Sequence, residues 1–70
     1  MSHHINKKGF FQSDKHPELK EHQIILNFKD IYAQEALLKY ARLTRDSELG
    51  LDIATAVTNV RAAGLTKQPD

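Results

Sequence analysis

The four histidines, His3, His4, His16 and His22, have the widest chemical reach in this chain, because imidazole can hold a transition metal or move a proton near neutral pH. Their spacing serves neither role. His3 and His4 are adjacent, and neighbouring side chains cannot share one helical face as i, i+4 ligands do. All four fall in or beside a polar N-terminal stretch, where they read as solvated side chains, so no metal site and no cofactor is expected. Asp52 is the only acid deep inside a predicted helix, between Leu51 and Ile53. Buried, it would be an acid with a raised pKa; on the polar face or beside a base, it would be an ordinary carboxylate. There is no nucleophile elbow, phosphate loop, H-E-x-x-H pair or dinucleotide glycine motif. The chain is expected not to be an enzyme.

The other residues able to do specific work are the amides and bases around a short apolar run, Gln23-Ile24-Ile25-Leu26-Asn27-Phe28-Lys29. Gln and Asn both donate and accept hydrogen bonds, so they suit recognition rather than catalysis. The net charge is +1, too small to imply nucleic acid or an anionic membrane by itself. From His22 to Ala63 five basic residues (Lys29, Lys39, Arg42, Arg45, Arg61) balance five acidic ones (Asp30, Glu35, Asp46, Glu48, Asp52). The excess charge therefore belongs to the N-terminal segment. No apolar run approaches the roughly 20 residues of a membrane helix, and the N-terminus lacks the continuous apolar stretch of a secretory signal. With no cysteine, disulfides and thiolate metal sites are excluded, which fits a cytoplasmic protein.

Three elements must position these residues. Residues 1–21 read as a flexible N-terminal arm, polar except for Phe10-Phe11, which would serve as an anchor on a partner or as a lid over the domain. Gln23–Lys29 alternates like a strand, with Ile24, Leu26 and Phe28 facing a core and Gln23, Ile25 and Asn27 facing outward. Asp30 is placed to cap a first helix over about 31–44, with Ala33, Leu37, Tyr40, Ala41 and Thr44 on one face. A polar link, Thr44–Ser47, leads to a second helix over about 48–63, with Leu49, Ile53, Ala56, Val57 and Val60 inward and Gly64 as its C-terminal stop. Gly50 and Ala54, one turn apart, either permit a close helix crossing in an oligomer or are tolerated near the helix start. The fold class is thus mostly α: a short N-terminal strand and two amphipathic helices (β-α-α) over residues 22–65, followed by a tail at 66–70.

A unit of about 42 residues buries too little surface to outweigh its conformational entropy alone. With disulfides excluded, oligomerisation is the expected remedy. The strand lacks an internal partner, and the same strand of a second copy would supply one, giving an intertwined homodimer. The expected interface comprises Ile24, Leu26 and Phe28 from the strand, Leu37 and Tyr40 from the first helix, and Gly50, Ile53, Ala54 and Val57 from the second.

The alternating strand QIILNF, the helix ending LLKYA, the polar turn TRDSE and the amphipathic second helix together resemble the ribbon-helix-helix family of small dimeric repressors, over residues 23–63. That resemblance implies a ribbon of two strands entering the major groove of DNA. Gln23, Ile25 and Asn27 would face the bases, and the second helix would hold a phosphate at its N-terminus near Ser47, with Arg45 and Lys29 assisting. Ile25 could offer only a thymine-methyl contact. Two functions stay open: a DNA-binding transcriptional regulator of this type, or an oligomeric protein–protein interaction module in which Ile25 and Phe10-Phe11 cover a protein partner.

Overall fold

Asp30 starts the helical half of the molecule. Its carboxylate accepts hydrogen bonds from the Tyr32 and Ala33 amides at 2.8 and 3.3 Å, satisfying two donors that a helix N-terminus leaves free. The computed structural model describes residues 3–68 and is mostly helical: two short strands, β1 (His3–Ile5) and β2 (Phe11–Ser13), precede α1 (Ile31–Leu43) and α2 (Ser47–Ala62). Asp46 caps α2 by accepting from the Leu49 amide at 3.0 Å. At the far end Gly64 takes φ +70°. The Leu65 amide then donates to the Val60 carbonyl and the Gly64 amide to that of Arg61, each at 3.1 Å. This pair of bonds is the usual glycine-terminated helix stop.

The two helices pack on each other through a narrow strip. Ala33 from α1 and Gly50, Ile53 and Val57 from α2 are buried. Gly50 is the point of closest approach, since a Cβ placed there would lie 2.7 Å from the Ala41 carbonyl oxygen and 3.3 Å from Thr44 Cγ2. Gly50 is therefore neither an oligomer crossing point nor merely a tolerated glycine: it makes a close crossing between the two helices of one chain. With one helical neighbour each, the helices cover only part of their apolar faces. Tyr40 and Leu49, expected inside, remain exposed.

A polar residue completes the core. Gln34 is fully buried, and each of its polar atoms is matched. Its Nε2 donates to the Phe28 carbonyl at 2.8 Å and to Thr66 Oγ1 at 2.9 Å, while its Oε1 accepts from Arg61 Nε at 2.9 Å. Arg61 also reaches Glu35 at 3.3 Å. The tail is thereby docked. The Lys67 amide donates to the Lys29 carbonyl at 2.8 Å, and the Ile31 amide donates to the Lys67 carbonyl at 3.1 Å, forming a parallel bridge at Asp30.

The strand lies elsewhere than expected. Gln23–Lys29 forms no strand; residues 23–27 are irregular and 28–29 belong to a turn. A strand exists by exchanging hydrogen bonds with a neighbour, and none of the described residues supplies one here. Strand pairing occurs instead within the segment expected to be an arm. β1 and β2 pair antiparallel, His3 opposite Ser13 and Ile5 opposite Phe11. Their turn is built by Asn6 and Gly9. The Gly9 amide donates to the Asn6 carbonyl at 2.9 Å, Asn6 Oδ1 accepts from the Lys8 and Phe10 amides, and Gly9 takes φ +86°. Neither strand contacts either helix. Residues 1–2 of the arm and 69–70 of the tail lie outside the described residues.

Two substitutions test this packing. Gly50→Ala gains helix propensity of about 1 kcal/mol, but its methyl group meets backbone. It is expected to lower stability by roughly 1–2 kcal/mol net, read as a fall in urea midpoint. Gln34→Leu leaves the Phe28 carbonyl and Arg61 Nε without their partner, and is expected to cost roughly 2–3 kcal/mol in the same measurement.

Candidate interaction surface

Immediately ahead of α1, Ile24, Ile25 and Leu26 are 62%, 51% and 43% exposed. Three consecutive large apolar side chains in water are unfavourable. Among the described residues their backbone groups make no backbone hydrogen bond. The last bond before them runs from the Gln23 amide to the Lys20 carbonyl, and the next from the Asp30 amide to the Asn27 carbonyl. This segment therefore combines exposed apolar side chains with backbone groups that have no protein partner among the described residues.

The flanking amides are partly committed. Gln23 Oε1 accepts from the Lys20 amide and Asn27 Oδ1 from the Lys29 amide, both at 2.9 Å. Their NH2 groups remain to donate. Ile25 and Asn27 look into a cleft of about 420 Å³, together with Ile24 on the same side and His3, Phe11 and Ser13 of the hairpin opposite. The register puts His3, Phe11 and Ser13 on one face of the hairpin. There the His3 and Phe11 rings stack with centroids 5.3 Å apart.

The residues expected to face DNA form two groups. Gln23, Ile25, Asn27 and Lys29 are exposed before α1, and Arg45 and Ser47 are exposed after it. α1 itself, about 20 Å long, lies between the groups, so one chain does not bring them together. Of the residues expected at an oligomer interface, Ile24, Leu26 and Tyr40 are exposed and Phe28, Leu37 and Ala54 are half-buried. Gly50, Ile53 and Val57 are buried in the chain's own helix pair and offer nothing to a second copy in this arrangement. Leu43 and Leu51 are more exposed than any of these.

The histidines are dispersed. His4 Nδ1 lies 2.8 Å from Asp14 and His16 Nδ1 lies 3.4 Å from Glu18, while His22 meets Phe10 edge-on. Among the described residues no three potential ligands converge on a metal position. Asp52 is exposed. A second, shallow hollow of about 370 Å³ lies over the helix pair, lined by Glu35, Leu38, Ala41, Arg42 and Ala54. No described helix is long and apolar enough to cross a membrane. No protein-family model, curated protein or solved structure matches the chain.

The hairpin wall of the cleft was not foreseen from the sequence. Its signal was Asn6-Lys7-Lys8-Gly9 between Ile5 and Phe10-Phe11, a turn sequence between apolar residues. Glu21 ties that turn to the following chain. The Asn6 side-chain amide donates to its carboxylate, and Lys8 Nζ lies 3.4 Å away. The Asn6 hydrogen bond, chiefly, and the Lys8 charge hold its carboxyl below the ordinary 4.5. A lowered pKa favours the folded hairpin above the ordinary value, and that contribution is lost as pH falls through the lowered one. The Glu21 side-chain carboxyl resonance is expected to titrate below pH 4.5. Glu21→Gln should loosen the turn amides in hydrogen exchange at pH 7 and lose this difference in acid.

Proposed function

We propose that the chain works as a small non-catalytic homodimer, paired through residues 23–28 of two copies, that presents the surface around this ribbon to a macromolecular partner. The observation that carries the reading is the exposed Ile24–Leu26 segment, whose backbone makes no hydrogen bond among the described residues, directly ahead of a helix pair with a very small core. Among the described residues only Ala33, Ile53 and Val57 are buried apolar residues. The chain exposes 5817 Å², against about 4,500 Å² for a folded monomer of this mass. The excess exceeds the roughly 800 Å² that each partner gives to a stable interface. Antiparallel self-pairing would satisfy the free backbone groups and cover the apolar side chains in one step.

Two partners suit such a dimer. A protein partner is favoured by the balanced charge of residues 22–63 and by the position of Ile25 and Asn27, which face the hairpin across the cleft. Duplex DNA, in the manner of the ribbon-helix-helix regulators the sequence resembles, is favoured by the order of ribbon, α1 and α2. The exposed Arg45 and Ser47 at the start of α2 also support it. In that case the hairpin must swing aside before Ile25 and Asn27 can reach base edges.

Light scattering is expected to give twice the 8.0 kDa chain mass, and Ile25→Lys to shift the species toward monomer. A monomer at high concentration in the unaltered protein would overturn the reading. Anisotropy of a labelled random duplex, titrated with salt, separates the partners. Micromolar binding that weakens steeply as salt rises means phosphate contacts and a regulator. No binding at low salt leaves the protein-interaction module, for which Ile25→Lys would not increase affinity for DNA.

A further inference from the structure

The cleft beside Ile24–Leu26 has the form of a slot for one more extended strand. Ile24 and Ile25 both line it. No backbone group of residues 24–26 has a hydrogen-bond partner among the described residues, so a chain laid in this cleft beside them would meet backbone able to pair once the segment is extended. Across the opening stands the hairpin face bearing the stacked His3 and Phe11 rings and Ser13. One side of the slot therefore offers backbone hydrogen bonds and the other an aromatic cover. This is the pair of features that strand addition uses. The hairpin is free to serve as a cover, because it contacts neither helix and is fastened to the following chain by Asn6 and Lys8 with Glu21 and by Phe10 with His22.

We infer that the slot receives the 23–28 segment of a second copy, so that the hairpin of each protomer forms a lid over its partner's strand. The inference rests on the dimer reading above and adds to it the role of the N-terminal hairpin. Three observations favour a second copy as occupant. The segment from Gln23 to Phe28 carries no charge, so two copies approach without repulsion. The slot is balanced as well, since Lys15 and Asp30 in its lining are of opposite sign. The occupant must also bring unpaired backbone and apolar side chains of its own, and Ile24–Leu26 is the segment of this chain that does. Two-fold pairing centred on Ile25 places each copy's segment in the other's slot by the same operation. Phe11, on the arm in sequence, thereby becomes part of the interface.

The absence of cysteine makes disulfide trapping a direct test, because directly opposed positions of antiparallel strands fall within disulfide reach. Full-length Ile25→Cys is oxidised alone. Full-length Phe11→Cys is then mixed with isotope-labelled Ile24→Cys, and the mixed disulfide is identified by mass. Phe11→Cys mixed with labelled Leu51→Cys, exposed on α2, sets the background. The expected result is a covalent Ile25→Cys dimer, together with a Phe11→Cys/Ile24→Cys disulfide at least tenfold above background. A covalent Ile25→Cys dimer with the mixed disulfide at background would overturn the lid while leaving the paired ribbon intact. No Ile25→Cys dimer, with a monomer mass in solution, would remove the ribbon reading and the lid with it. Phe11→Ala provides a second readout. The lid requires at least a tenfold weaker dimer by dilution, and an unchanged dissociation constant counts against it.

Discussion

A fully buried glutamine needs a partner for every polar atom, since an unmatched one costs more than its hydrogen bond would return. The helical half of this molecule is arranged around that requirement. Gln34 draws together the Phe28 carbonyl before α1, Arg61 at the end of α2, and Thr66 in the returning tail. Phe28 is far in sequence from Arg61 and Thr66, and each of the three contributes a polar group. The three buried apolar side chains alone give little reason for the tail to return or for the chain before α1 to be fixed. The glutamine gives both. By holding the Phe28 carbonyl it also sets where the exposed segment ahead of it emerges from the helix pair.

The same geometry explains why the surface is so apolar. Two helices joined by a three-residue link can cover one strip of each other, and Gly50 lets them come close enough to make that strip tight. What lies outside the strip stays in water: Tyr40, Leu43 and Leu51 on the helices, and Ile24 to Leu26 ahead of them. A tight but narrow crossing and a large apolar remainder are two results of one topology. Part of the remainder, Ile24 to Leu26, lies where the backbone also lacks partners among the described residues, which distinguishes this segment from scattered exposed leucines.

The helices were legible in the sequence because their signals are local. Asp30, Asp46 and Gly64 act within a few residues of themselves, and they set the helix ends close to where the pattern placed them. Ile53 and Val57 lay on the predicted stripe. Gln34 did not, because a hydrophobic pattern passes over a polar residue. The signal was its position, one turn before both Leu37 and Leu38 on the inner side of α1. The strand was misplaced for a related reason. Alternation in Gln23–Phe28 describes which side chains want burial, whereas a strand also needs a neighbour for its backbone, and a single chain does not reveal one. The hairpin was overlooked because its strands are three residues each, too short for periodicity to register, although the Asn6–Gly9 turn carried the signal.

The bridge between Asp30 and Lys67 makes the tail a working part of the helical unit. Gln34 Nε2 has its second acceptor only while Thr66 is in place, and the Ile31 amide and the Lys29 carbonyl both meet Lys67. A tail drawn away from α1 would leave a buried amide hydrogen and a helix N-terminus short of partners. The last described residues of the chain thus govern how firmly the start of α1, and with it the Ile24–Leu26 segment, is held.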